Sequence, residues 1–224
     1  MELLGISLTD VGLREALKQS DRYLDQGGLN TIAYVSAKKL LEASEDEEQQ
    51  KWWNELDLTI CEDVGLLKAA GAATQSRVRE VKENIYLKEF LKILVRRQAP
   101  AFLLAEEEEG LKAFEEELRL LQSNLFVAGR DTTDHYVENK DGLINAINAL
   151  APKVILSRLP YPEGIHLMYD YHRYLNGSVW LTLPETLVKN DRGGWRDKVS
   201  ELIYKKLLHK KIHRFEQEQE EEKR

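Results

Sequence analysis

Two adjacent carboxylates follow a short apolar run in this 224-residue chain. Glu62 and Asp63 come directly after residues 58–61, whose apolar and β-branched composition predicts a buried strand. A carboxylate at the end of such a strand can act as a general base in catalysis. An aspartate at the start of a helix can instead cap its backbone N–H groups. Glu62 and Asp63 are therefore the candidate catalytic residues, with helix capping by Asp63 as the competing interpretation.

Other polar residues follow predicted strands in the same way. Ser36 ends the β-branched and aromatic run 31–36, Lys38 comes just after it, and Arg158 follows the apolar run 154–156. In open parallel sheets, ligands bind outside the carboxyl ends of the strands. Ser36, Lys38 and Arg158 are therefore candidate substrate-binding residues.

The familiar short motifs of nucleotide-binding, hydrolase and zinc-protease sites do not occur in the sequence. The chain has five scattered histidines and one cysteine, Cys61, which excludes an internal disulfide and any multi-cysteine metal site. We therefore expect no metal and no cofactor.

Short apolar runs alternate with amphipathic stretches along the chain, starting with a predicted strand at residues 3–6. A further strand is predicted at residues 124–128. Apolar strands separated by helices are typical of parallel sheets covered on both faces. The pattern predicts an α/β fold: a single Rossmann-like domain over residues 1–190, with a mainly parallel sheet flanked by helices. Residues 191–224 are predicted to form a helical C-terminal tail, basic and then acidic.

Composition restricts the class of protein further. Apolar residues make up 42% of the chain, charged residues 32%, and the formal net charge is −7. This composition is typical of a globular protein and argues against nucleic-acid binding by the whole surface. We find neither a secretory signal nor an apolar run long enough to span a bilayer, so we expect a cytoplasmic protein.

The tail carries a local basic patch beside an apolar stripe. Basic residues near an anionic membrane surface contribute about 1 kcal/mol each, so this patch could tether the chain weakly to the inner face of the membrane. The alternatives are an exposed amphipathic helix or a helix packed on a partner chain. The basic residues of this patch are Lys205, Lys206, Lys210, Lys211 and Arg214.

The order of these segments resembles the WecG/TagA/CpsF family of glycosyltransferases over most of residues 3–190. Residues 3–6 with Thr9 and Glu15 are similar to the opening "LGV…T..EA" of the family, and residues 57–67 resemble its stretch "ADLVLPDGIGVV". Arg77 and Val78 match the "RV" that follows, and residues 101–104 resemble "VFLLGG". The resemblance implies transfer of N-acetylmannosamine or a related sugar from a UDP-sugar to a lipid-linked acceptor.

The resemblance also implies roles for individual residues. Glu62 falls where the family has its catalytic aspartate, Ser36 where it has a threonine, and Lys38 where it has an asparagine. Arg77, with Arg158, would stabilise the departing diphosphate. The basic tail resembles the C-terminal appendage that docks family members on the membrane.

Several family motifs are altered in this chain. Residues 105–109 read Ala-Glu-Glu-Glu-Glu where the family has a glycine pair, and residues 182–185 replace its glycine-rich turn. Glycine lets backbone N–H groups approach phosphate, and like charges repel it. The alternative interpretation of Glu106–Glu109 is a solvated first helical turn, where acids suit the helix dipole. We therefore expect UDP-sugar binding to be weak or undetectable.

Three functions remain open at this point. The first is a divergent glycosyltransferase acting on a lipid-linked or envelope polysaccharide precursor. The second is a non-catalytic homologue that binds or regulates a partner in polysaccharide synthesis, either as a homo-oligomer or with a true glycosyltransferase. The third, less favoured, is a sensor that binds another small molecule in the same crevice.

Overall fold

The computed structural model describes residues 2–9, 11–187, 204, 206–208, 210–215 and 217. The strands are β1 (Glu2–Leu3), β2 (Ile6–Ser7), β3 (Asn30–Val35), β4 (Leu58–Cys61), β5 (Ala101–Ala105), β6 (Val127–Thr132), β7 (Val154–Arg158) and β8 (Val179–Thr182). The helices are α1 (Leu13–Tyr23), α2 (Ala37–Ala43), α3 (Glu47–Asn54), α4 (Val64–Ala69), α5 (Gln75–Lys82), α6 (Ile85–Arg96), α7 (Glu108–Leu121), α8 (Lys140–Ala149) and α9 (Glu163–Tyr171).

Six strands form one sheet in the order β4-β3-β8-β7-β5-β6, and every neighbouring pair is parallel. The last strand in sequence, β8, lies between β3 and β7, so it separates the two halves of the sheet. The predicted α/β class with a mainly parallel sheet flanked by helices is confirmed. All six strands end at one edge, and the candidate site lies there.

Alternate residues of the strands face opposite sides of the sheet, as the period of two requires. In β3, Ile32 and Tyr34 pack in a core cluster with residues of α1, α6 and α7. Ala33 and Val35 pack on the other side with residues of α2 and α3. The buried strands are apolar on both faces because helices cover both faces.

The predicted first strand is part of a separate hairpin. β1 and β2 pair antiparallel, outside the six-stranded sheet. The chain reverses at Leu4 and Gly5, which have φ angles of 55° and 77°. Glycine adopts this left-handed region readily, whereas leucine does so at a cost. The prediction of a strand was right for the extended residues and wrong for their place in the sheet.

Strand β6 begins three residues later and ends four residues later than predicted. β6 runs over Val127–Thr132 rather than residues 124–128, and it forms one edge of the sheet. Its register shifts between Ala101 and Phe102 of the neighbouring strand, which marks a bulge. Edge strands can carry polar residues such as Arg130, so the apolar run was a poor guide to the position of this strand.

The described residues of the C-terminal tail are helical. Leu208 is fully buried, and Tyr204, Ile212 and Phe215 pack against the same cluster, which contains residues of the hairpin, α2 and α3. The predicted domain boundary between residues 190 and 191 lies outside the described residues.

Candidate functional site

A cavity, here called the first cavity, opens at the carboxyl ends of β3 and β4. Its walls are mainly apolar and include Tyr34, Ile60 and Pro184. Its polar and charged lining residues are Thr9, Thr59, Glu62, Arg77, Glu80 and Asn84. A cavity with apolar walls and a few converging polar groups is the usual form of a small-molecule site.

Glu62 is placed by the end of the sheet and by one lysine. Its backbone N–H donates to the carbonyl of Val35 at 2.8 Å, which extends the pairing of β3 and β4 by one residue. Lys39 Nζ lies 2.8 Å from Glu62 Oε2 and 3.1 Å from the carbonyl oxygen of Tyr34. The carboxylate is thus held in a half-buried ion pair that connects the ends of two strands.

Arg77 reaches the same cavity from α5. Thr74 caps this helix and accepts from the backbone N–H of Arg77 at 3.3 Å, which places Arg77 in the first turn. Arg77 Nε lies 3.9 Å from Glu80 Oε2, one turn further along the helix. The structure therefore brings Glu62 and Arg77 together. Among the described residues, Lys39 pairs with Glu62 and Glu80 pairs with Arg77.

The floor of the cavity contains a buried hydrogen-bond chain. The Tyr34 hydroxyl donates to Asn84 Oδ1 at 2.8 Å, and Asn84 Nδ2 donates to the carbonyl of Leu187 at 3.3 Å. Burial raises the pKa of Tyr34 well above its ordinary value, so this hydroxyl remains a protonated donor. Asn84 has a φ angle of 47°, a left-handed conformation that asparagine tolerates. These hydrogen bonds connect the floor of the cavity to the segment after β8, which also contributes Pro184 to the cavity wall.

Ser36 and Asp63 are engaged in the backbone of the strand–helix turns. Ser36 Oγ accepts from the N–H of Lys39 at 3.3 Å and caps α2. The Asp63 carboxylate accepts from the N–H of Leu66 at 2.7 Å, capping α4, and from the N–H of Ala37 at 2.7 Å. Asp63 therefore connects the two turns that follow β3 and β4, and neither side chain lines the first cavity.

Lys38 points away from the first cavity. Its exposed ammonium lies 3.9 Å from Glu42, one turn along α2, and it does not line the cavity. Consecutive helical residues diverge by about 100°, so Lys38 and Lys39 face different surroundings. The sequence singled out Lys38, whereas the structure brings Lys39 to Glu62.

Arg158 is enclosed by protein groups. Its guanidinium donates to Glu117 Oε1 at 3.0 Å and to the carbonyl of Gly110 at 2.8 Å, and it lies 4.9 Å from the centre of the Phe114 ring. Glu117 also accepts from the N–H of Leu187 at 2.8 Å. The side chain of Arg158 is 11% exposed. These contacts hold the segment after β8 against α7, and Arg158 does not line the first cavity.

A second cleft opens at the carboxyl ends of β5 and β7, beside α9. Its lining includes four carboxylates, those of Glu106, Asp134, Glu163 and Asp170, against one lysine, Lys140. Glu106 thus faces the cleft, whereas Glu108 and Glu109 lie in the exposed first turn of α7. An acid-rich lining disfavours a diphosphate in this cleft.

Sequence reasoning missed three residues of this site: Glu80 and Asn84, which line the first cavity, and Lys39, which pairs with Glu62. Glu80 follows Arg77 by three positions, a spacing that brings side chains together on a helix and could have been noticed. Lys39 and Asn84 carry no such local signal, because their partners lie 23 and 50 positions away in sequence.

Two further features of the described residues concern metal binding and membrane spanning. Within that part of the chain, no group of three or more histidine, cysteine, aspartate or glutamate side chains is arranged to hold a metal ion. None of the helices described above is both long enough and apolar enough to cross a membrane.

Comparison with known proteins identifies the family. The model of the glycosyl transferase WecG/TagA/CpsF family matches residues 1–187, which include the whole six-stranded sheet and both cavities. No curated protein matches the chain significantly. Membership supports a glycosyltransferase role with a nucleotide-sugar donor. The chain belongs to the WecG/TagA/CpsF family of glycosyltransferases.

Proposed function

We propose that this chain is a divergent glycosyltransferase that transfers a sugar from a UDP-sugar to a lipid-linked or envelope polysaccharide precursor. The observation that carries the proposal is the placement of Glu62 and Arg77 in one cavity at the carboxyl edge of the parallel sheet. A carboxylate can act as the general base for the acceptor hydroxyl, and a guanidinium can stabilise the charge on the leaving diphosphate.

In this proposal, Glu62 accepts the proton of the acceptor hydroxyl as that oxygen attacks the anomeric carbon. The bond from the anomeric carbon to the diphosphate oxygen breaks, and its electron pair leaves with the diphosphate. Arg77 offsets the negative charge that develops on the leaving group. Ser36 and Asp63 support the site by capping the two helices that begin beside it, and Arg158 by holding the segment after β8.

We propose that the donor extends along the carboxyl edge of the sheet from Arg77 to the second cleft, and that it binds weakly because Glu106 stands there where the family has its phosphate-binding glycines. Replacing Glu106 by Gln should strengthen UDP binding about fivefold or more, because it removes the repulsion between one carboxylate and the diphosphate. At a surface-like dielectric constant such a repulsion is worth about 1 kcal/mol or more. Isothermal titration calorimetry with UDP measures the change.

The control for this experiment is Glu109→Gln, which removes an equal charge from the exposed first turn of α7. It should leave the affinity for UDP unchanged within twofold. Equal affinities for wild type and Glu106→Gln would show that Glu106 does not face the phosphates. Low-micromolar binding by the wild-type chain would contradict the proposal of a weakened donor site.

The second candidate is a non-catalytic homologue that acts as a binding or regulatory partner in polysaccharide synthesis. The acidic lining of the second cleft favours it, since the described residues that line this cleft carry four carboxylates against one lysine and disfavour a diphosphate there. The two candidates differ in UDP release from UDP-sugars in the presence of a lipid-linked acceptor. If the wild-type chain releases UDP faster than a Glu62→Gln variant, the glycosyltransferase is supported. If it does not, the non-catalytic binding partner is supported.

We also propose that the tail helix contacts an anionic membrane surface from the cytoplasmic side. Lys206 and Lys210 are exposed on the described part of this helix, whereas Lys211 pairs with Glu45 at 2.8 Å; the side chain of Arg214 is exposed as well. Lys205 lies outside the described residues.

Replacing Lys206 and Lys210 together by alanine should weaken binding to phosphatidylglycerol vesicles about thirtyfold, given about 1 kcal/mol for each basic residue. Co-sedimentation measures the change, and replacement of the exposed Lys88 and Lys92 of α6 serves as the matched control. If the tail variant and the α6 variant bind the vesicles equally well, the tail helix is not the surface that contacts the membrane.

A further inference from the structure

Lys39 occupies a distinctive position at the end of the sheet. It belongs to the first turn of α2, and its ammonium reaches back to contact the Tyr34 carbonyl at 3.1 Å and Glu62 Oε2 at 2.8 Å. The side chains of Lys39 and Glu62 are 20% and 22% exposed. The ammonium is thus fixed by two oxygen atoms from two neighbouring strand ends.

The pair differs from the exposed ion pairs of this chain. Lys38 meets Glu42 on the same helix at 3.9 Å, with both side chains largely in solvent. Such pairs are held loosely and contribute little. The contact of Lys39 with Glu62 joins residues 23 positions apart at hydrogen-bond distance, so it fixes where the carboxylate stands.

We propose that Lys39 is a positioning residue for Glu62: its ammonium orients the carboxylate at the first cavity and balances its charge. This inference rests on the proposed function, in which Glu62 is the general base. Glu62 lines the cavity and Lys39 does not, so Lys39 acts through Glu62.

Other charged and titratable groups also face this carboxylate or its cavity. Arg77 and Glu80 of α5 line the cavity with Glu62, and the Tyr34 hydroxyl and the Cys61 thiol belong to its wall. Arg77 and Glu80 pair with each other at 3.9 Å, and Cys61 donates to the Asp63 carbonyl at 3.2 Å. Among the described residues, Lys39 is a cation at hydrogen-bond distance from Glu62 Oε2.

The proton balance gives Lys39 a defined part in the reaction. Glu62 becomes neutral when it accepts the acceptor proton, and Lys39 keeps its positive charge throughout. The Tyr34 carbonyl continues to hold the ammonium at that moment, so Lys39 stays in place and the carboxyl group keeps its orientation. Misplacement of a reacting group by about 1 Å can lower a rate on the order of a hundredfold.

The first test needs no substrate. A lysine ammonium held by two oxygen atoms exchanges its protons slowly enough to give a resolved ¹⁵N–¹H NMR signal at low temperature. We expect such a signal for Lys39 and none for Lys38. Glu62→Gln should weaken and shift the Lys39 signal, since glutamine keeps an acceptor oxygen but loses the negative charge that holds the ammonium. A Lys39 signal unchanged in Glu62→Gln would overturn the proposal.

The second test separates positioning from structural support. Lys39→Gln keeps a donor for the Tyr34 carbonyl but removes the charge, and should lower kcat for UDP release about tenfold or more with an unchanged KM for the donor. Lys39→Arg should stay closer to wild type because it keeps the charge, and the matched control Lys38→Gln should be unaffected. An equal loss in Lys38→Gln, or a normal kcat in Lys39→Gln, would contradict the role.

The two tests fail in different ways. A wild-type chain without transfer activity would contradict the proposed function, while the NMR comparison would still decide whether Lys39 holds Glu62. If Lys39→Gln does not fold, the comparison of wild type with Glu62→Gln remains, because that variant preserves shape and an acceptor oxygen.

Discussion

Replacing Glu62 by Gln should lower the rate of UDP release from a UDP-sugar about 10²–10⁴-fold, the usual contribution of a general base. Glutamine has nearly the shape of glutamate and still accepts a hydrogen bond from Lys39, but it cannot take the acceptor proton. The free energy of unfolding should change by less than about 1 kcal/mol, because the ion pair is partly exposed. Steady-state kinetics and urea denaturation measure the two quantities.

Replacing the adjacent Asp63 should instead lower the stability of the fold. Its carboxylate accepts two backbone N–H groups at 2.7 Å, one at the start of α4 and one after β3. Asp63→Ala should therefore lower the free energy of unfolding by about 1–3 kcal/mol through the lost cap and an unpaired N–H group. If Asp63→Ala is stable but inactive and Glu62→Gln is active, Asp63 rather than Glu62 is the general base.

The central part of the fold could be predicted from the sequence. The buried strands β3, β5, β7 and β8 each contain a continuous apolar run, because helices cover both faces of the sheet. Such runs, separated by amphipathic stretches, indicate a parallel sheet whatever the details of packing. The topology places the ends of these strands at one edge, so the general location of the candidate site followed as well.

The hairpin and the edge strand could not be predicted in the same way. Residues 3–6 have the composition of a strand, but Leu4 adopts a positive φ angle that its side chain does not favour. Its neighbours in the hairpin are buried against a cluster that includes Leu208, a contact far away in sequence. β6 contains Arg130 and Asp131, since an edge strand is free to carry charge.

The candidate site shows the same limit at the level of single side chains. Arg158 follows a strand, as an anion-binding arginine could, but its partner Glu117 lies 41 positions away on α7. Lys38 and Lys39 are identical residues in adjacent positions, and only the orientation of α2 decides which one meets Glu62. Position after a strand predicts the edge of the sheet, and long-range partners decide what each side chain does there.

A large loss of stability is also expected from a substitution in the tail helix. Leu208→Ala should lower the free energy of unfolding by about 2–5 kcal/mol, the usual range for truncating a fully buried leucine. Leu208 is 0% exposed and lies in the cluster that contains Leu3, Ile6, Leu40 and Trp53. Alanine leaves a cavity between the tail helix and the hairpin, because the surrounding side chains belong to separate elements and cannot all collapse into it. Urea denaturation followed by tryptophan fluorescence measures the loss.

The neighbouring Leu207 is a matched control, since it has the same side chain on the same helix but is 50% exposed. Leu207→Ala should change the free energy of unfolding by less than about 0.5 kcal/mol. Equal and small effects of both substitutions would contradict the packing of the tail helix on the hairpin. The expected difference would instead show that the apolar stripe of this helix stabilises the domain. In that case the exposed Lys206 and Lys210, rather than the buried Leu208, are the residues through which we propose that this helix contacts an anionic surface.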